Sequence, residues 1–386
     1  MKQLLILVDT SRGPGRSFLS GVESYLRFNP SWDVLLPPPK YVCDSGLFPA
    51  KWCNQQNPDA MIVFGYYDIK NILSFNKPKV VMSLDNTAGS DVAALKADSE
   101  AIAQMAGDYL FALGHKRFGY ISCGNITWAN ERKTAFNRII EQNGAELYSY
   151  NLNLSSSTKI NQARKELADW IYSLPKPIAL LVCNDDIARI VLDACKLVSV
   201  SVPEEVSVLG VDNDSLICHL SRPALSSIEL DFEGAGYRTL EHLDRIISGE
   251  ETARVMNIEP VRIVTRQSTD VLAVEDPIVR EALIFIRSNY QRKISVSDVT
   301  DHICFSRSAL EKRFDAAINR SVAGEITRLR IGMAKDKLLN SRLSVNLIAS
   351  KFEFTNPQHF SRFFKNAVGI TPDEFRKRYS KSNAVD

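Results

Sequence analysis

Polar side chains suited to holding a hydroxylated molecule recur at one kind of place in this chain, just beyond short apolar runs. Asp9, Ser11 and Arg16 follow LLILV (4–8), and Trp128 and Arg132 follow RFGYIS (117–122). Asn184 and Asp185 follow IALLV (178–182), and Asp212 and Asn213 follow VSVLGV (206–211). A carboxylate only accepts hydrogen bonds, a guanidinium only donates and an amide does both, so such groups match neighbouring hydroxyls. The ring of Trp128 suits the apolar face of a sugar. Each residue also has a local reading: Asp185 as the cap of the next helix, Arg132 as the partner of a surface carboxylate. Their shared position is what favours a pocket. Catalysis is not expected. SRGPGRS (11–17) has neither of the glycine spacings that cradle phosphates. His115, His242, His302 and His359 fall on or beside predicted helices, and His219 falls in a loop. No nucleophile–base pair and no metal-ligand spacing accompanies them, so neither a metal nor a cofactor is expected.

The elements that would position these groups alternate along the first 270 residues. Apolar runs at 4–8, 60–66, 80–84, 117–122, 178–182 and 206–211 read as strands. Amphipathic stretches at 18–26, 99–113, 130–142, 161–173 and 185–198 read as helices. Short strands rich in β-branched residues between helices imply parallel sheet covered on both faces. This stretch is long for one such sheet, so two α/β lobes with a cleft between them are expected. Ligands of open α/β sheets bind beyond the carboxyl ends of the strands, where the polar groups lie.

The last 110 residues have a different organisation. SVSDVTDHICFSRSALEKRF (295–314) and SVNLIASKFEFTNPQHFSRFF (344–364) form an internal repeat. Ser295 and Val296 recur as Ser344 and Val345, Phe305 as Phe354, Leu310 as Phe360, Lys312 as Arg362 and Phe314 as Phe364. Each copy reads as a short helix, a tight turn and a second helix that opens on Ser or Thr. A helix displayed this way fits a major groove, and two copies fit two grooves. Between them SVAGEITRLRIGMAKDKLL (321–339) reads as one helix, about 28 Å long at 1.5 Å per residue. Thr371, Pro372 and Glu374 form a capping box for a closing helix.

Charge supports a nucleic-acid reader. Residues 277–386 hold 20 Lys and Arg against 11 Asp and Glu, a net of +9, whereas residues 1–276 hold 27 against 34, a net of −7. The near-neutral total of +2 hides a basic piece on an acidic body, and Lys and Arg that neutralise phosphates release condensed counterions. No apolar run approaches the ~20 residues that span a bilayer, and MKQLLILVDT reads as a first buried strand rather than a signal peptide. The cysteines (Cys43, Cys53, Cys123, Cys183, Cys195, Cys218 and Cys304) are odd in number and scattered without a C-x-x-C pair. They read as reduced residues of a cytoplasmic protein.

Two families are similar to this chain. IASKFEFTNPQHFSRFFKNAVGITPDEFRKR (348–378) and FSRSALEKRF (305–314) resemble the AraC family of transcription regulators. ADSEAIAQMAGDYLFALGHKRFGYIS, VCNDDIA, VSVLGVDN and RPALSSIELDFEGAGYRTL resemble the LacI/GalR effector-binding domain, itself similar to type I periplasmic sugar-binding proteins. The resemblance implies a two-lobed α/β periplasmic-binding-protein-like domain over 1–270, a linker over 271–277 and an all-α domain with two helix-turn-helix motifs over 278–386. The segment TRQSTDVLAVEDP (265–277) reads more broadly as the connector. For the ligand site it implies Arg132, Asn184, Asp185 and Asp212, beside the strand-end residues Asp9, Arg16 and Trp128. For base reading it implies Arg307, Ser308, Glu311 and Lys312 in the first unit, and Gln358, His359 and Arg362 in the second. The pairing of the two domains implies a cytoplasmic homodimer that binds a DNA operator and a small neutral sugar, D-xylose first, with RNA polymerase as partner if it activates. Repression fits the same parts, and a sugar-modifying enzyme with a DNA-binding appendage is the alternative of another class. The turn glycine common to that family is Cys304 in one unit and Glu353 in the other, which implies either a different turn or local strain.

Overall fold

The computed structural model describes residues 2–37, 55–64, 72–82, 92–153, 160–252, 254–270, 273–341, 343–354 and 356–379. The ends of two expected strands (65–66 and 83–84), linker residues 271–272, Cys43 and Cys53 lie outside them. Contacts divide the chain into Met1–Val271 and Leu272–Asp386.

The first unit holds two six-stranded sheets. Strands β1 (Lys2–Val8), β2 (Trp32–Leu35), β3 (Ala60–Phe64), β4 (Lys79–Met82) and β5 (Val92–Ala97) form one lobe with a strand from much later in the chain. The other lobe is built from β6 (Phe118–Cys123), β7 (Leu147–Leu152), β8 (Ile178–Val182), β9 (Val206–Asp212) and β10 (Ser226–Leu230). After β10 the chain returns to the first lobe as β11 (Val255–Ile258) and ends in the second as β12 (Pro260–Val264). The orders are β11-β5-β4-β3-β1-β2 and β12-β10-β9-β8-β6-β7. All pairings are parallel except that of β12 with β10. Central strands such as β8 and β9 are buried on both faces, which is why they read as unbroken apolar runs.

Between the strands run α1 (Gly13–Phe28), α2 (Ser99–Ala112), α3 (Thr127–Gln142), α4 (Ile160–Ser173), α5 (Asp185–Leu197), α6 (Ser215–Leu220) and α7 (Phe232–Ile247). Gly21 of α1 and Gly236 of α7 meet where the two helices pack, and a Cβ on either would overlap backbone of the other helix. The chain crosses between lobes at 97–99, 230–232 and 258–260. These crossings are tied by Asp98 N to Ile258 O (3.0 Å) and Asp231 N to Glu259 O (2.9 Å). Asp98 and Asp231 then cap the next helices through Ala101 N and Gly234 N, both at 2.9 Å.

The second unit is helical: α8 (Pro277–Asn289), α9 (Val296–His302), α10 (Arg307–Ile318), α11 (Val322–Asn340), α12 (Val345–Lys351), α13 (Pro357–Val368) and α14 (Pro372–Tyr379). The repeat extends into the caps. Ser295 and Asp298 form a reciprocal box at α9, and Ser344 caps α12 through Leu347 N. Ser306 caps α10, but α13 opens on Asn356 with Pro357 at its first position, not on the expected Ser or Thr. Both second helices end on a left-handed residue, Asn319 (φ 52°) and Gly369 (φ 88°), an offset of 50 that the side-chain pattern alone did not reveal. Thr371 and Glu374 cap α14 reciprocally, at 2.7 and 3.3 Å. Leu310, Phe314, Phe360 and Phe364 are fully buried. No helix among the described residues is long and apolar enough to cross a membrane.

Candidate functional sites in the cleft and on the second helices

In the second lobe two charged groups have unused hydrogen-bonding capacity, a buried arginine on α3 and a half-buried carboxylate at a strand end. Arg132, on the inner face of α3, is 2% exposed. Its Nη1 donates to the carbonyl of Cys183 and its guanidinium lies 5.4 Å from the centre of the Trp128 ring, yet its Nε has no partner among the described residues. Asp212 ends β9 in a left-handed conformation (φ 107°). Its carboxylate accepts no hydrogen bond among the described residues, and burial pushes its pKa up to about 7, with Arg132 partly opposing the rise. A buried donor without a partner carries a desolvation cost of about 1–3 kcal/mol that a ligand hydroxyl relieves, and the half-buried carboxylate offers such a hydroxyl an acceptor.

The other strand-end residues do different things. Asn184 caps α5 through Ile187 N (3.1 Å). Asp185, the expected sugar contact beside it, is 1% exposed and turned into the lobe. It accepts from Ser227 Oγ (2.6 Å), Asp214 N (2.8 Å) and Cys218 Sγ (3.4 Å), so burial raises its pKa while its oxygens are already engaged. Arg16 is exposed and folds back onto Thr10 O (2.8 Å), and Asp9 accepts from Ser11 N (2.9 Å). Asn213, also left-handed (φ 52°), turns its amide oxygen to Arg266 at 2.8 Å instead of the cleft.

Sequence reasoning missed the contacts that join the lobes. Arg12 Nε lies 2.9 Å from Asp186 Oδ1, and Gly13 N donates to Asp214 Oδ2 at 2.7 Å. Asp214 also caps α6 through Leu216 N, and that cap was the one local signal available. The expected connector over 265–277 is also corrected in its first part: Ser268 and Thr269 are fully buried in the lobe, in a short 3-10 turn, Gln267–Thr269. Cys183, Cys195 and Cys218 are buried, whereas Cys304 is exposed.

In the helical unit Arg307, Ser308 and Lys312 are exposed on α10, and Gln358, His359 and Arg362 on α13. Arg and Lys suit guanine and Gln suits adenine in the major groove. Glu311 stands apart, since its Oε2 accepts from Val322 N (3.1 Å) and so caps the start of α11. Both turns are left-handed without glycine, at Cys304 (φ 51°) and Glu353 (φ 55°), so the family turn is kept at about 1–3 kcal/mol of strain each.

Helix α11, with 19 residues about 28 Å long, connects the two helix-turn-helix motifs. Arg330 on it donates to Arg292 O (3.0 Å), just before the first motif, and to Phe352 O (2.6 Å), at the turn of the second. Glu353 Oε2 in turn accepts from Lys293 N at 2.9 Å. Glu325, 1% exposed, is held by Arg328 (2.7 Å) and Arg320 (3.3 Å). Burial alone would raise its pKa, but these arginines carry it below the usual value.

Comparison with known proteins agrees with this architecture. Residues 108–269 match a periplasmic binding protein-like domain, and residues 299–378 match a helix-turn-helix domain. The xylose operon regulatory protein of Haemophilus influenzae is 28% identical, over 97% of this chain and 98% of its own. That of Escherichia coli K12 is 31% identical over 72% of each. A solved structure described as the xylose-binding transcription activator XylR superposes with a TM-score of 0.82, at 28% identity over 98% of both chains. This chain belongs to the family of xylose operon regulatory proteins, transcription regulators that join a periplasmic-binding-protein-like domain to an AraC-type helix-turn-helix domain.

Proposed function

We propose that this protein is a cytoplasmic, non-catalytic transcription activator that responds to D-xylose. The observation that carries the sugar site is a pair of groups with unused hydrogen-bonding capacity, the buried Arg132 Nε and the half-buried Asp212 carboxylate. Together they supply the donor and the acceptor that sugar hydroxyls need, and Trp128 beside Arg132 offers a face to the ring. Asn184 and Asp185 are left out of the contact set because their side chains serve α5 and the lobe interior. The choice of D-xylose rests on the names of the relatives and of the superposing structure.

Two protomers, each with two reading helices, bind an operator of repeated half-sites. Arg307, Ser308, Lys312, Gln358, His359 and Arg362 meet the bases, and RNA polymerase is the partner in activation. A sugar changes the affinity for DNA only as far as it binds two arrangements of the protein unequally. The test is fluorescence anisotropy of the full chain on DNA from its own operon, with and without D-xylose, L-arabinose or D-ribose, at two salt concentrations. The proposal expects D-xylose alone to raise affinity and salt to weaken it steeply, because the basic segment must contact phosphates. Equal affinity with and without every pentose would overturn it.

A further inference from the structure

The last turn of the effector unit grips the backbone that presents Asp212. Arg266 lies just beyond β12, where the chain leaves the lobe toward the helical unit. Its Nη2 donates to Asn213 Oδ1 (2.8 Å), its Nη1 to Leu225 O (2.9 Å) and its own N–H to Ser226 Oγ (2.8 Å). Asn213 is further pinned by its N–H on Ser227 Oγ at 3.0 Å. Beyond Arg266 the grip continues through buried hydroxyls: Ser268 Oγ donates to Val208 O of β9 (2.6 Å), and Thr269 Oγ1 donates to Ser226 Oγ (2.7 Å). The exit of the chain is therefore fastened to the strands that carry the sugar-site carboxylate.

Asp212 and Asn213 are consecutive left-handed residues without glycine. That conformation is strained and persists only where the surroundings enforce it, and the enforcing partners of Asn213 are Ser227 and Arg266. A hydroxyl drawn to the Asp212 carboxylate acts on this pair, and any turn of its backbone reaches Arg266 through one hydrogen bond. We propose that Arg266 is the positioning residue that couples the sugar site to the exit segment, through Asn213, so that occupancy of the cleft is passed to the helical unit. This rests on the proposed sugar site. It adds a residue that touches neither sugar nor DNA.

The test separates coupling from binding. Full-length Arg266→Met and Asn213→Gly are each titrated with D-xylose by calorimetry and with operator DNA by anisotropy, with and without saturating sugar. Glycine adopts the left-handed backbone freely, so Asn213→Gly removes the link while leaving the Arg266–Leu225 bond. Asn213→Asp keeps an acceptor for Arg266 and serves as the conservative variant. The expected result is sugar affinity within about threefold of wild type for Arg266→Met, unchanged sugar-free DNA affinity, and loss of most of the sugar-induced gain in DNA affinity in both link-breaking variants. Asn213→Asp keeps that gain. A full gain in Arg266→Met and Asn213→Gly overturns the proposal. So does a parallel loss of sugar affinity, which would make Arg266 and Asn213 mere supports of the pocket. Wild-type protein that binds no pentose would refute the underlying sugar reading, and this proposal with it.

Discussion

Two carboxylates, Glu325 buried in the helical unit and Asp212 half-buried in the effector unit, answer desolvation in opposite ways. Glu325 on the connecting helix is enclosed by Arg328 and Arg320 and stays ionised below its usual range. Asp212 at the cleft has no hydrogen-bond donor among the described residues and is pushed up to about 7. Desolvation acts on both in the same direction, so the difference comes from what the fold supplies as partners. A buried charge that the protein satisfies itself is scaffold; a desolvated but still accessible one without a donor at a strand end is a place for a ligand. Asp185 sharpens the contrast from within the cleft lobe, because it is more deeply buried than Asp212 but already accepts from Ser227, Asp214 and Cys218.

The sharpest way to break this contrast is to remove each carboxylate. Glu325→Ala removes the shared partner of two partly exposed arginines and should cost the helical unit about 2–3 kcal/mol in denaturant unfolding. Asp212→Asn should leave the fold intact and abolish D-xylose-induced thermal stabilisation. A comparable loss of stability in both variants would erase the distinction. The pH dependence carries the same contrast. Asp212 has a folded pKa above its unfolded value, so its stabilising contribution is complete below the unfolded value near 4 and is lost as pH rises through about 7. Wild type should therefore lose stability relative to Asp212→Asn between pH 4 and 8. Parallel stability profiles would contradict the assignment.

Smaller effects distinguish the exposed residues of the reader. Arg362→Ala and Lys312→Ala should each relax discrimination among operator variants by about 1–3 kcal/mol, measured by competition binding. Glu311→Ala should instead lower stability by about 1 kcal/mol through the lost bond to Val322 N, with base preference unchanged. Altered base preference in Glu311→Ala would restore it to the reading face. At the turns, Cys304→Gly should raise stability by about 1 kcal/mol by relieving left-handed strain. Glu353→Gly should gain less because it gives up the bond to Lys293 N. Equal gains in thermal unfolding would show that this bond contributes nothing.

What could be read in advance follows from how local each cause is. Strands β6, β8 and β9 are buried on both faces and show as apolar runs, and the helix-turn-helix repeat shows in side chains that pack the same way twice. Strand β7 reads LYSYNL because it is an edge strand, with half-buried and exposed positions, and it did not stand out. Strand β10 reads SSIEL, and Ser226 and Ser227 are apolar-looking only in their burial, which the hydroxyl contacts of Thr269 and Asp185 make possible. In the cleft, residue type located the strand-end groups but did not say which were free. Asn184 and Asp185 are adjacent and chemically alike, and their duties are set by α5, β10 and α6, up to 42 residues away. Glu311 looks like any exposed acid on a reading helix until the start of α11 is placed beside it.

Calorimetric titration decides whether the Arg132–Asp212 pair binds D-xylose. D-Xylose is titrated into wild type, Arg132→Ala and Asp212→Asn at pH 8 and pH 6. Wild type should bind more weakly at pH 6, where the Asp212 carboxylate is largely protonated, and both variants should lose most of the affinity at either pH. Wild-type affinity retained in both variants, or no binding by wild type at either pH, would contradict the account.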